Sequence, residues 1–558
     1  MTAIAASVAA SPAAAKDPVV RLSQVHAGMT CTAKTVVHGT DISDFGVQVL
    51  DVLDDIDGMG PRILVRVTGD AVQGSGIASG FSGSPVYCQG ADGTVGNVGA
   101  ISATIGQFGN DVGLVTPIEQ MLDLPVKPPS GAHHPSKAVA ANVTPLATPL
   151  TFSGLSPALG QLVEQAGRAT GRAFVSGPVG PLGSFLPQPL VPGASLAASY
   201  STGAVALSAI GTVTYRDGNT VYGFGHQFDG AGRRALVLQD AYVYDVIDNP
   251  NVTEQESSYK LASPGHSLGT ISNDATSAIV GTVGDRAPTT PVIVTVHDDD
   301  HGRTVRQQTP VADEATVGDP LGHGLLPTVV PLAVAQAVTT AFDGAPARET
   351  GRLCLTTVVR GVRRPLRFCN DYVVNGQDTA GMPGLAMTMA SDATSALGPI
   401  DGADYKALRV RSVRADVDIS RGEAFATILS AHGPRSVRRG HKAHVRLRVR
   451  ETQGPEKTVP ITIAVPRTAA LGRQQLTLTG KGLDDASDSS DTIMILLGGG
   501  PGASSAGAQS FREVKTGYDA TARYDGLSGK LGGARWRAAR DPHLRIGGRA
   551  TLALRVGR

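Results

Sequence analysis

The chain has 558 residues, enough for three or four domains. Hydrophobic residues make up 41% and charged residues 17%, which excludes a disordered chain, and a net charge of +1 excludes a global attraction to nucleic acid or an anionic membrane. The 69 glycines and 35 prolines against 12 phenylalanines and one tryptophan point to many short strands joined by turns, a mainly β chain.

Residues 1–16 read as the remnant of a secretory signal, because Ala13-Ala14-Ala15 before Lys16 suits a signal-peptidase site. A basic n-region and a strongly apolar core are missing, so an Ala-rich tail is the competing reading. No later stretch has the roughly 18 uninterrupted apolar residues of a spanning helix, so no transmembrane segment is expected. Residues 17–123 read as one half of a domain, the half that holds the candidate nucleophile, and 17–60 alternate apolar and polar positions. Thr35-Val-Val and Phe45-Gly-Val-Gln-Val-Leu-Asp-Val-Leu read as strands around a turn at His38-Gly39-Thr40-Asp41, and Arg62-Ile-Leu-Val-Arg-Val-Thr68 leads into Asp70.

The next stretch is Gly76-Ile-Ala-Ser-Gly80-Phe-Ser82-Gly-Ser84-Pro85-Val-Tyr87. A serine between glycines, followed by Ser-Pro and an apolar strand, suits a trypsin-like nucleophile turn. Gly80 permits backbone torsions that side chains forbid, so that the Gly80 and Ser82 amides can converge as an oxyanion hole. Gly83 leaves one face of Ser82 open, and Pro85 fixes the exit into the next strand. The competing reading is an ordinary Gly/Ser turn between strands. Strands resume at Val95–Thr104 and Val112–Val115, and Thr116-Pro117-Ile118-Glu119 predicts a short helix with Thr116 as N-cap and Glu119 closing a capping box.

Residues 124–150 carry six prolines and no apolar period, the mark of a linker. Over 151–290 a helix is predicted at 156–168, capped by Ser156. A hairpin then turns at Arg216-Asp217-Gly218-Asn219 and delivers Gly223-Phe-Gly225-His226-Gln-Phe228. A serine hydroxyl needs a base, and the base needs an orienting group. Among 13 histidines His226 is the best base, since its small neighbours leave the ring accessible; a packing histidine is the plain alternative. Asp70, 12 residues before Ser82 at a strand end, is the best orienting acid, with Asp111, Asp217, Asp229 and Asp240 as rivals.

Residues 291–400 form a mixed region with a helix near 328–342 and a hairpin turning at Gly361-Val362. That register sets Cys354 opposite Cys369, within reach of a disulfide, while two buried thiols are the alternative. No Cys-x-x-Cys pair exists among the four cysteines, so a zinc site is not expected. Residues 401–482 alternate in the manner of a small β-sandwich, and 483–558 read as a part-ordered tail. His297-Asp-Asp-Asp-His301 reads as a solvated turn rather than a cation site. Arg446, Arg448 and Arg450 read as one solvated strand face rather than a polyanion site.

At this point two blocks resemble the SpoIVB-type sporulation serine peptidases. Gly76–Tyr87 with Val98-Gly-Ala-Ile and Val112-Gly-Leu-Val-Thr-Pro-Ile-Glu-Gln-Met121-Leu is similar to that family's nucleophile block. Ile210–Gly218, Tyr222-Gly-Phe-Gly-His226 and Ser263-Pro-Gly-His-Ser-Leu-Gly269 are similar to its histidine block. Together they cover about a third of the chain. The resemblance implies Ser82 as nucleophile and His226 as base, with Asp70 near the family's acid. The chain departs in placing the serine block first, as in a circular permutation, in Phe81 where Met is usual, and in lacking a PDZ-like module.

The expectation is therefore a permuted trypsin-like double β-barrel with a C-terminal β-sandwich. It would be an exported or envelope-associated serine endopeptidase acting on protein or peptide with no cofactor. The competing expectation is an inactive relative that serves as an envelope binding or scaffold protein. If the two blocks form one site, Ser82 Oγ and a ring nitrogen of His226 lie about 2.6–3.5 Å apart.

Overall fold

A computed structural model describes the chain except residues 1–15, 57, 106–109, 130–131, 133–142, 146–148, 170–173, 178–184, 249–257, 313–323, 376–380, 481, 483–507, 522–527 and 538–544. The signal-remnant reading of 1–16 apart from Lys16, much of the 124–150 linker and residues 483–507 of the tail fall outside those residues. The described chain is mainly β and divides into two compact units. The first comprises 1–155, 167–289 and 312–320; the second comprises 156–166, 290–311 and 321–558.

The first unit holds two closed barrels. Strands β1 (Thr30–His38), β2 (Asp41–Leu53), β3 (Arg62–Thr68), β4 (Pro85–Gln89), β5 (Val95–Ile105) and β6 (Val112–Pro117) run in the order β4-β1-β2-β3-β6-β5, and β4 pairs with β5 to close the ring. Closure removes both edges of the sheet. Val47, Val49, Val65 and Val67 alternate inward and fill the interior with Phe45, Phe81 and Ile101. The predicted turn at 38–41 is present, with His38 opposite Asp41 and Gly39 at φ 64°. A glycine there allows the left-handed backbone a two-residue hairpin needs. Cys31 and Cys88, on paired strands β1 and β4, form a disulfide with Cα atoms 4.5 Å apart, a bond the sequence reading did not assign.

After β6 comes the single turn α1 (Ile118–Met121). The capping box expected here is absent. Thr116 Oγ1 donates instead to the Gly225 carbonyl at 2.7 Å and lies 2.9 Å from Ser102 Oγ, and buried Glu119 accepts the Leu22 amide. Tertiary partners outcompete the local cap. Short strands β7 (Val143–Pro145), β8 (Leu150–Ser153) and β9 (Phe174–Ser176) follow, with helix α2 (Pro157–Ala169) between β8 and β9; Ser156 Oγ caps it by accepting the Leu159 amide.

The second barrel comprises β10 (Ser195–Ser201), β11 (Ala206–Asp217), β12 (Thr220–Gly223), β13 (Gly232–Ile247), β14 (Tyr259–Ala275) and β15 (Ala278–Val283). Their order is β10-β13-β14-β15-β12-β11, and β10 pairs with β11 to close it. The predicted hairpin is present, with Asp217 opposite Thr220.

In the second unit, β16 (Thr289–Asp298) is followed by β17 (Arg303–Ala312), α3 (Leu325–Phe342), β18 (Arg348–Val359), β19 (Leu366–Asn375), α4 (Gly384–Asp401) and β20 (Val410–Arg421). Strands run β19-β18-β20-β16, with α4 packed on β18 and β19. Helix α3 is long and apolar enough to cross a membrane, yet most of it is buried. Cys354 pairs with Cys369 in register and the two are disulfide-bonded, Cα atoms 4.1 Å apart. The connection is longer than two residues, because the strands end at Val359 and restart at Leu366; the register holds and the turn does not.

Further on lie β21 (Phe425–His432), β22 (Ser436–Arg438), β23 (Lys442–Glu451), β24 (Glu456–Ala464), β25 (Gly472–Thr479), α5 (Phe511–Thr521), β26 (Ser528–Leu531), β27 (Ala534–Arg537), β28 (Arg545–Gly547) and β29 (Arg549–Gly557). They make a four-stranded sheet, β24-β23-β21-β28, and a five-stranded sheet, β22-β29-β25-β26-β27, with one shared apolar cluster. Boundaries at 401 and 482 miss this grouping. β20 belongs to the sheet of β18, and β26–β29 complete a core begun at β21. On β23, Ala443, Val445, Leu447 and Val449 face inward while Arg446, Arg448 and Arg450 face solvent, two of them paired with Glu456. His297–His301 is the end of β16 and its turn, with Asp298 holding His301 and Arg421.

Candidate active site: a serine turn and a histidine turn packed together

The serine turn leaves the first barrel between β3 and β4. Asp70–Val72 makes one 3-10 turn, after which Ser79 exchanges backbone hydrogen bonds with Ser258 and Lys260 at the start of β14. Gly80 and Gly83 both have φ 94°, a region that strains any side chain. Gly83 is constrained further. A Cβ there would run into the Thr212 carbonyl and lie 2.5 Å from the Phe224 amide nitrogen. Gly83 therefore lets the serine turn touch β11 and the histidine turn, a role different from keeping Ser82 open. The Thr212 amide donates to the Ser82 carbonyl, and Thr214 Oγ1 donates to that of Gly83.

The histidine turn follows β12. Phe224 (φ 68°) and Gly225 (φ 71°) are consecutive left-handed residues. For buried Phe224 this is strained backbone, which persists only where surrounding contacts over-determine it. The contacts that do so are local: the Phe224 ring fills the space above Gly211, and Gly225 lies against Ala100 and Ile101 on β5 of the first barrel. Chain positions 82 and 226, 144 residues apart, thus come to neighbouring turns.

Ser82 is 0% exposed, and its Oγ has no hydrogen-bond partner among the described residues. His226 donates from Nδ1 to the Gln227 carbonyl at 2.6 Å, which fixes the tautomer and leaves a lone pair on Nε2. Nε2 is itself buried and has no partner among the described residues. Burial pushes the imidazole below its ordinary pKa of 6.5, so it stands as the neutral base. The amides of Gly80 and Ser82 make no hydrogen bond to any described residue. The expected Ser82–His226 hydrogen bond is not formed, because the bond to Gln227 sets the ring's orientation.

Asp70 does not join this group. It is exposed in its 3-10 turn, and the Gln227 carbonyl occupies the place an acid would take. The rivals are engaged elsewhere: Asp111 with Arg66, Asp217 with Lys16, Asp229 with Tyr200 and Arg234, and Asp240 with His266. The carboxylate whose field reaches His226 is Asp274, which accepts the amides of Phe228, Asp229 and Ala231 and so shapes the chain beyond the histidine. Asp274 lies 48 positions after His226 on β14, and no local signal marks it.

A second residue missed by sequence reasoning is Lys260. Its stem packs against Gly80, within 3.0–3.1 Å of where a Cβ would stand, and Nζ donates to Thr35 Oγ1 (2.8 Å), Thr212 Oγ1 (3.2 Å) and Ser195 Oγ (3.5 Å). Burial pushes this amine down to about 7. Thr212 Oγ1 in turn donates to the Gly80 carbonyl, so the lysine buttresses the serine turn through a chain of hydroxyls. Among the described residues no cluster of His, Cys, Asp and Glu could hold a metal ion.

No protein-family model, no curated protein and no solved structure matches this chain.

Proposed function

We propose that the protein is a serine endopeptidase in which Ser82 attacks the peptide carbonyl. His226 Nε2 takes the hydroxyl proton and returns it to the leaving amine, and the Gly80 and Ser82 amides receive the oxyanion. The observation that carries this is a complementary pair of buried, unpartnered groups on adjoining turns, an O–H donor at Ser82 and a lone pair at His226 Nε2. Leaving such groups unpaired costs roughly 1–3 kcal/mol each, which a purely structural turn has no reason to bear. The Gln227 carbonyl replaces an acid in orienting the ring, so the machinery is a dyad. The likeness to SpoIVB-type peptidases in permuted order, a trypsin-like arrangement of the two barrels, a C-terminal β-sandwich and export to the envelope belong to the same proposal; two disulfides suit an oxidising compartment.

Complete burial of Ser82 favours a second reading, a peptidase relative that binds without cleaving. Hydrolysis of an unstructured protein such as casein separates the two. The enzyme reading expects cleavage lost in Ser82→Ala and in His226→Ala and kept in Asp70→Asn. Equal cleavage, or none, by all four proteins supports the binding reading.

A further inference from the structure

Strands β21–β29 gather charge of one sign. Residues 425–479, 528–537 and 545–558, which supply the two sheets and their shared core, hold 17 Lys and Arg against two acids, Glu451 and Glu456. Their net charge is +15 in a chain of net charge +1, so the remaining residues sum to −14. Taken strand by strand, the arginines of β23 read as a solvated face; the grouping of β26–β29 with β21 is what brings the excess together. A face kept only for solubility mixes both signs. A basic group of strands within an otherwise acidic chain is the charge asymmetry that marks an anionic partner.

The charge is most ordered on β23. Lys442, His444, Arg446, Arg448 and Arg450 take alternate positions and face out, while the residues between them are buried. Alternate residues of an extended strand lie about 7 Å apart, so the row runs about 27 Å. Opposite it on β21 and β24 stand small or polar residues, with Glu456 the one acid and no Phe, Tyr or Trp. Glu456 is shared by Arg448 at 3.6 Å and Arg450 at 2.6 Å, exposed pairs that are weak and screened by salt. Lys442 and Arg446 have no acidic partner among the described residues.

We propose that this row docks a linear polyanion, a base-free phosphodiester chain of the polyol-phosphate kind. Two strand residues span six backbone bonds, and so does one repeat of a three-carbon polyol phosphate. Extended chains of both kinds therefore set their charges about 7 Å apart. Arginine forks take phosphate oxygens two at a time. A nucleic acid backbone has the same six-bond repeat, but its bases call for an aromatic platform, and no Phe, Tyr or Trp stands opposite the row. A polyuronate spaces its carboxylates by rigid rings, which cannot adjust to the pitch of the strand. The row uses nothing of the serine or histidine turn, so the assignment holds whether or not Ser82 is catalytic.

The test is fluorescence anisotropy of the full protein with end-labelled 1,3-poly(glycerol phosphate), set against polygalacturonate and oligo(dT) of equal charge. The polyol phosphate is expected to bind tightest of the three. Four cations at about 0.7 each predict a slope of about −3 for log K against log salt. Lys442→Gln/Arg446→Gln removes two of them and should roughly halve the slope and weaken binding more than about tenfold at about 50 mM salt. Arg473→Gln/Arg555→Gln removes a facing pair from the other sheet at the same loss of net charge, and should leave affinity within about twofold. Equal losses in the two variants would mean diffuse attraction rather than a site. That result, binding of oligo(dT) or polygalacturonate as tight as the polyol phosphate, or no binding of the polyol phosphate, would overturn the proposal.

Discussion

At Lys260 a buried amine has only hydroxyls for company, and this makes stability depend on pH with a definite sign. Its folded pKa of about 7 lies below the ordinary 10.5. Between those values the unfolded chain holds a proton that the folded chain has released, so stability rises with pH. The slope is about 1.4 kcal/mol per pH unit, or roughly 5 kcal/mol over the window. Denaturant unfolding of Lys260→Met should lack that slope, with the wild type catching up on the variant between pH 7 and 10. At His226 the shift is also downward, so the acid limb of the peptidase rate should fall below pH 6.5, read from kcat/KM against pH. Gly83→Ala places a methyl into the Thr212 carbonyl at φ 94° and should destabilise the fold by more than about 3 kcal/mol in the same unfolding assay. The serine and histidine turns were legible because small neighbours and flanking strands are local signals. Lys260, Gln227 and Asp274 were not, because their roles arise from the β14 register and a backbone carbonyl.

Among elements, the hairpins were readable and the closures were not. Turns at 38–41 and 216–219 carry glycine at positive φ between alternating runs, so short-range chemistry announces them. The Cys354–Cys369 register followed from such a pattern even though the loop is longer than the pattern implied. Pairing of β1 with β4, which with β5 closes the ring, joins strands far apart in sequence and has no local mark, and with it went the Cys31–Cys88 bond. The capping box at Thr116 failed for a related reason, since its hydroxyl reaches the histidine turn instead. The two disulfides should differ in worth. Loop-closure entropy gives roughly 4 kcal/mol for a separation of 57 residues and roughly 3 kcal/mol for 15. Thermal unfolding of Cys31→Ala/Cys88→Ala should therefore show the larger fall in midpoint. Only that pair should also lower activity, because β4 begins at the residue after Ser84.

At the level of the whole molecule, a mainly β chain was legible from glycine-rich turns and alternation, whereas a pair of barrels was expected only from the resemblance and the six strands of each come from the structure. The grouping of β21–β29 across the chain's last third was not, because β26–β29 lie beyond runs of Asp, Ser and Gly that look like a tail. The first unit gives chain order little weight: the serine turn comes from one barrel and the histidine turn from the other, and they meet through the backbones of Gly83, Thr212 and Phe224. A dyad is defined by such geometry rather than by which residue comes first. The central claim is that Ser82 is a nucleophile activated by His226. It is tested most directly by treating the full protein with a fluorophosphonate and mapping the adduct by mass spectrometry. The account predicts one adduct, at Ser82, absent in His226→Ala and retained in Asp70→Asn; an unmodified Ser82 in the wild type, or a Ser82 adduct that forms equally well without His226, would contradict it.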